Sequence, residues 1–400
     1  MVYDYATKVK GTQGSPIRDA IVKAQGEGFI SFAAGFPDPQ AIPMEKLSRI
    51  SQEVLEEYGI EVFQYGESIG RAELRQQARK FINMDYDVLK EGDDILVTSG
   101  STQGLYIASK IFLNEGDVIL SEDPAFSGAF ASFRSNGATI RGIRMEEDGV
   151  DIAALEEAMA SEPKPKFFYT IPNFNNPTGY TTSFEKRKAI YWLAKKYNVI
   201  ILEDNPYGYL RSAGEDLPAI KTFDTTGHVL YAASLSKIIS PGMRCALLCG
   251  AKEIIAKAVI QKSLIDSSTP IWNQLVMAKF LEQTDMRNHI RYISDIYERK
   301  CELMHETMAA TFHEDVKYGK PEGGMFIYFE LPDYINLQDF VNEAAKMHIA
   351  VVPGSAFSVE QPQRCNGVRI NFSIPTVDQI IDGITKIGAL THRLCGDQIN

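Results

Sequence analysis

Lys237 sits in the run Ala233-Ser234-Leu235-Ser236-Lys237-Ile238-Ile239-Ser240-Pro241-Gly242-Met243-Arg244. It follows an apolar stretch at residues 229–234. A lysine just past such a stretch is ordinarily a solvated charge, but these neighbours change the reading. Ser234 and Ser236 can donate hydrogen bonds to a phosphate, and Gly242 lets the backbone turn so that the Arg244 fork reaches the same group. An amine beside a phosphate site is equipped to hold a phosphorylated aldehyde covalently, and pyridoxal phosphate is such a molecule.

Three more stretches carry matching chemistry. Gly100-Ser101-Thr102-Gln103-Gly104 lies between an apolar run at 95–98 and a helical pattern at 105–113. That turn points backbone N–H groups and hydroxyls from a helix N-terminus, which suits phosphate; the same residues also serve ordinary capping. Asn175-Asn176-Pro177-Thr178-Gly179 reads as a turn, or as a turn that sets the Asn176 amide against an oxygen of a bound ring. Asp204, in Glu203-Asp204-Asn205-Pro206-Tyr207, is a turn former or cap, or else a carboxylate at a sheet edge. Beside a lysine-bound pyridine ring it would keep the ring nitrogen protonated, so that the ring withdraws electrons from a breaking C–H bond.

The elements that must position these residues follow from periodicity. From about residue 90 onward, short β-branched runs alternate with amphipathic stretches, the pattern of crossover units on a mostly parallel sheet. Seven strands are predicted, over 95–98, 118–121, 139–143, 167–171, 199–203, 229–234 and 245–249. Ligands of such open α/β sheets bind beyond the strands' carboxyl ends, where the motifs above fall. Residues 252–316 read as long helices, and Gly323-Gly324 introduces a strand-rich segment and a second domain. The glycine- and proline-rich N-terminal stretch cannot form a compact unit alone. It is expected to drape over the core or pack with the C-terminal part.

With 400 residues, 44% of them hydrophobic, the chain can bury a sizeable core. A net charge of -11 argues against nucleic-acid or anionic-membrane partners. The N-terminal sequence lacks the order of a signal peptide and no long apolar run occurs, so a cytoplasmic location is expected. The cysteines at 245, 249, 301, 365 and 395 form no CxxC pair, which suggests neither a disulfide framework nor a zinc site, and no metal is expected.

The ordered set Tyr65, Gly100-Ser101-Thr102, Asn176-Pro177-Thr178-Gly179, Asp204-Asn205-Pro206-Tyr207, Ser234-Leu235-Ser236-Lys237 and Arg244 resembles the class I/II aminotransferases, which are fold-type I pyridoxal phosphate enzymes. The resemblance runs from Ser15-Pro16-Ile17-Arg18 to Val368-Arg369-Ile370-Asn371-Phe372. It is strongest toward the branch of 2-aminoadipate and kynurenine aminotransferases. It implies an α/β fold with a large cofactor-binding domain, whose sheet is seven-stranded and mostly parallel, and a smaller α+β domain built from the N- and C-terminal segments. The expected division is an arm at residues 1–45, the large domain at 46–300 and the small domain at 301–400.

By position in the family's motifs, Lys237 holds the cofactor and shuttles a proton, Asp204 pairs with the ring nitrogen, and Asn176 and Tyr207 approach the ring's phenolic oxygen. Ser101, Thr102, Ser234, Ser236 and Arg244 hold the phosphate. Phe126 falls where the branch usually has a tyrosine stacked on the ring, so stacking is kept and the hydroxyl lost. Arg369 matches the binder of the substrate α-carboxylate, Gly35 a backbone position against the substrate, and Arg18 an arginine that meets an acidic substrate side chain. Tyr65 resembles the tyrosine that crosses a homodimer interface to the partner's phosphate. The implied activity is ping-pong transfer of an amino group from an L-amino acid to a 2-oxo acid, by the family's habit 2-oxoglutarate. A pyridoxal phosphate-dependent carbon–sulfur β-lyase shares the fold and most of these motifs. A non-catalytic regulator built on this domain would carry a DNA-binding module ahead of it, and neither such a module nor DNA binding is expected of this acidic chain.

Overall fold

The computed structural model describes residues 3–5, 28–359 and 365–396. Its strands are β1 (Ile30–Ser31), β2 (Asp93–Thr98), β3 (Val118–Asp123), β4 (Thr139–Glu146), β5 (Gly149–Val150), β6 (Phe167–Thr170), β7 (Ile200–Asn205), β8 (Val229–Ser234), β9 (Ala246–Ala251), β10 (Lys317–Tyr318), β11 (Phe326–Glu330), β12 (Ile349–Ala350), β13 (Val352–Pro353) and β14 (Gly367–Asn371). The helices are α1 (Met44–Tyr58), α2 (Ala72–Ile82), α3 (Ser101–Phe112), α4 (Ser127–Ser135), α5 (Ile152–Ala160), α6 (Phe184–Tyr197), α7 (Lys252–Ile265), α8 (Ile271–Gln283), α9 (Met286–Thr311), α10 (Leu337–Lys346) and α11 (Val377–Cys395).

The large sheet has the order β2-β9-β8-β7-β6-β3-β4-β5. Its centre, β4-β3-β6-β7-β8, is parallel. β9 runs against both β8 and β2, so β2 points the same way as β8. All seven predicted strands are present, and the two-residue β5 adds an antiparallel edge to β4. Central strands such as β6 (FFYT) and β8 (VLYAAS) are buried at every position, because helices cover both faces of a parallel sheet. β7 is longer than its apolar run. Pairing of Asp204 with Ala232 and of Asn205 with Ala233 carries the strand two polar residues further.

Two smaller sheets come from the chain's ends: β10-β11-β14-β13, and β1 paired with β12. The N-terminal stretch thus packs with the C-terminal part, and its hydrogen bonds continue past β1. Phe32 N–H donates to Ala350 O at 2.8 Å, and Asn371 N–H donates to Phe32 O at 2.8 Å. This pins the backbone leading to Ala33 and Gly35. The helical region reads as three separate helices, α7 to α9. Local signals fix several ends: Asp285 caps α9, and Thr376 with Gln379 forms a reciprocal capping box on α11, each worth about 1 kcal/mol. Among the described residues, no helix is long and apolar enough to cross a membrane.

Candidate active site

The carboxyl ends of β2, β3, β6, β7 and β8 converge on one cavity of about 290 Å³, bordered on its far side by the smaller sheets. Ser101, Thr102, Phe126, Asn176, Asp204, Tyr207, Ser234, Ser236, Lys237, Arg244, Arg369 and Gly35 all line it. Tyr65 does not: it is 91% exposed on the surface. Arg18 lies outside the described residues.

Lys237 reaches back from the turn after β8, and its Nζ donates to Gly35 O at 2.6 Å. Burial, with the charges of Arg369 and Arg244 adding to it, pushes the amine down to about 8. Asp204 is 2% exposed. Its Oδ2 accepts from the Tyr169 hydroxyl at 2.9 Å, while its Oδ1 is buried without a partner. Burial pushes this carboxyl up to about 7, against the opposing pull of Tyr169.

Arg369, on β14, is also 2% exposed. Its guanidinium donates to Asn176 Oδ1 at 2.9 Å and to Ala33 O. It stands over the rings of Phe326 and Phe357 at 4.3 and 4.9 Å. Nε has no partner, and no carboxylate of the described residues forms an ion pair with it. A structural ion pair is the alternative role for such an arginine, and no partner for one is in place among those residues. Asn176 spans the cavity, accepting from Arg369 and offering its Nδ2 to the Tyr207 hydroxyl at 3.4 Å. The Tyr207 phenol is held well above its ordinary range, chiefly by burial.

At the cavity's other end, α3 begins at Gly100 with no side chain capping it. Gly100 has a φ of +99°, and a Cβ there would stand 2.0 Å from an Arg244 Nη atom. Only glycine lets that guanidinium cross the turn. Arg244 donates to Ser99 O and Pro241 O at 3.1 Å each, and it lies exposed with Thr102 at the rim. Ser234 and Ser236 are buried below it.

Buried polar struts hold the Asn176 turn. Glu122, at the end of β3, accepts from Ile171 N–H at 2.9 Å, from Asn175 Nδ2 at 2.8 Å and from Thr170 Oγ1 at 2.5 Å. Arg187, fully buried on α6, donates to Pro172 O, Thr182 O and the Asn173 side chain. Removing either would leave its partners unsatisfied, at a cost of a few kcal/mol.

Sequence reasoning missed Tyr169, Phe326, Phe357 and these struts. The signal for Tyr169 was its place in an apolar strand beside the one ending in Asp204. Phe326 and Phe357 gave none, because only the fold brings them to Arg369.

The site fits pyridoxal phosphate. An amine with a lowered pKa suits the aldehyde, the unpartnered Asp204 Oδ1 suits a ring N–H, and the uncapped helix with its hydroxyls and Arg244 suits the phosphate. The family described as aminotransferase class I and II matches residues 28–384. Aromatic-amino-acid aminotransferase 1 of Thermococcus litoralis is 33% identical over 387 residues, covering 96% of this chain and 93% of that protein. The 2-aminoadipate transaminase of Thermus thermophilus is 30% identical over 379 residues, covering 94% and 93%. The solved structure of Pyrococcus horikoshii kynurenine aminotransferase has a TM-score of 0.93 and 33% identity, and 97% of each chain is covered.

Proposed function

Because the chain belongs to the class I and II aminotransferases, enzymes that work with pyridoxal phosphate, we propose that it moves the amino group of an L-amino acid to 2-oxoglutarate by a ping-pong mechanism. The observation that carries this reading is the meeting, in one cavity, of the Lys237 amine, the unpartnered Asp204 Oδ1 and the buried, carboxylate-free Arg369.

When bound, the cofactor supplies a ring that accepts the electron pair left when the substrate Cα–H bond breaks. Asp204, through its unpartnered Oδ1, would hold the proton on the ring nitrogen. Arg369 receives the substrate α-carboxylate as a fork already oriented by Asn176, Ala33 and two aromatic rings, which fixes the Cα–H bond before reaction. Lys237, released from its place at Gly35 O, takes the proton from Cα as general base and returns it on the cofactor side. Tyr207 and Asn176 would hold the phenolic oxygen. Ser101, Thr102, Ser234, Ser236 and Arg244 would anchor the phosphate, and Phe126 would supply an aromatic face for the ring.

The proposed donor has an aromatic or aliphatic side chain. Phe36, Phe126, Ile171 and Phe326 also line the cavity, and its cations are taken by amine, phosphate and carboxylate roles. The named relatives act on aromatic amino acids, 2-aminoadipate or kynurenine, so an acidic donor would need a further cation, a part assigned to Arg18. The working unit is assigned as a cytoplasmic homodimer. Tyr65 stands exposed beside Ile60 and Phe63, which are 74% and 72% exposed, an apolar patch of the kind a second subunit covers.

The test is the formation of glutamate from 2-oxoglutarate with single amino-acid donors. Lys237→Ala should lose turnover entirely. Near-wild-type transamination by that variant would sink the proposal, and acceptor-independent release of pyruvate and ammonia from cysteine conjugates would replace it with a β-lyase.

A further inference from the structure

Asp204 has two carboxylate oxygens in different circumstances, and the sheet register explains why. β6 and β7 are parallel, with Tyr169 beside Leu202. Side chains alternate along a strand, so Leu202 and Asp204 share one face, and Tyr169 faces the same way. Tyr169 therefore looks diagonally along the face toward Asp204, a span of about 7 Å that a phenol can bridge. Its hydroxyl meets Oδ2 at 2.9 Å. The ring is held from behind by Phe133, edge-on at 5.2 Å, and both Tyr169 and Phe133 are fully buried.

From this geometry we infer that Tyr169 is a positioning residue: by occupying Oδ2 it leaves Oδ1 as the oxygen that meets the cofactor's ring nitrogen. The inference rests on the aminotransferase reading and concerns one side chain within it. The direction of donation is fixed, because burial and the neighbouring Asp204 hold the phenol protonated far above neutrality. Tyr169 opposes the rise in the Asp204 pKa that burial causes. The other titratable groups around Asp204 have separate roles. Glu122, beside Tyr169, is bound to Thr170, Ile171 and Asn175. Tyr207 is paired with Asn176, Lys237 with Gly35 O, and Arg244 with Ser99 and Pro241 carbonyls. Arg369 is held by Asn176 and Ala33.

Tyr169→Phe removes one oxygen and keeps the ring against Phe133. In the holoenzyme kcat should fall about tenfold with the donor KM unchanged, and the acid limb of the kcat profile should move up by about one pH unit, since a hydrogen bond to a charged group is worth about that factor. Cofactor release, followed by its absorbance after gel filtration, should be about tenfold faster. Tyr169→His, which retains a ring donor, should restore part of the profile. In an Asp204→Asn background, Tyr169→Phe should change nothing further. A pH profile that superimposes on wild type, or effects that multiply fully with those of Asp204→Asn, overturns the inference. Wild-type protein without transaminase activity would instead sink the functional proposal.

Discussion

A lysine amine attacks an aldehyde, or takes a proton from carbon, only when neutral. Lys237 is pushed to about 8 because its ammonium form loses hydration and faces Arg369 and Arg244. The rate at which cofactor-free protein takes up pyridoxal phosphate should therefore rise as pH increases through about 8 and then level off, a profile that stopped-flow absorbance would trace. Arg369→Met removes one repelling charge, so the same profile should move to higher pH. In steady state that variant should lose about 100-fold in kcat/KM, mostly through KM, because the forked, charge-assisted grip on the α-carboxylate is gone. At this scale Lys237, Asp204, Asn176 and Arg244 were legible in the sequence from their side-chain types and neighbours, and Arg369 through the family resemblance. Tyr169, Phe326 and Phe357 were not, because an aromatic residue in an apolar run reads as core until its neighbour across the sheet is known.

Among the elements, the strand-to-helix turn before α3 depends most on a single residue. At Gly100 both the positive φ and the approach of the Arg244 guanidinium exclude a side chain. Gly100→Ala should displace Arg244 and misaim the first N–H groups of α3. Cofactor affinity should fall at least about tenfold, because the phosphate then forgoes a charge-assisted hydrogen bond from the guanidinium, while the donor KM measured at saturating cofactor stays within about twofold of wild type. Fluorescence titration of the cofactor-free variant checks the first, and an unchanged affinity would refute it. The Asn176 turn has different support, from Glu122 and Arg187 beneath it. The seven strands were legible from their β-branched and aromatic runs. The extra length of β7, which takes in Asp204, was hidden because its last two residues are polar and only their pairing with β8 makes them strand.

For the whole molecule, the decisive question is where Tyr65 acts. It stands on the surface, away from its own cavity, whereas Arg244 and Thr102 lie open at the cavity rim. If each subunit lends its Tyr65 to the other, a Tyr65→Ala subunit paired with a Lys237→Ala subunit forms one fully wild-type site. Mixing and reassorting the two variants should then recover roughly a quarter of wild-type activity per site, since half the dimers are hybrids with one intact site each. Activity no greater than the sum of the separate variants would show that Tyr65 serves no neighbouring site.

The sequence by itself determined the fold class and the cofactor chemistry, because strand periodicity and the order of reactive residues are properties of the chain read along its length. It also placed most of the cavity lining, since parallel strands deliver their carboxyl ends to one edge. Only the tertiary structure decided how those residues are poised. The Lys237 amine is lowered by burial next to Arg369, which lies 132 positions further along the chain. Asp204 is divided into an occupied and an open oxygen by a tyrosine on the next strand. Arg369 is oriented by groups from three separate stretches of sequence. Desolvation and hydrogen bonding depend on what the folded chain brings within a few ångströms, and no linear spacing encodes that distance.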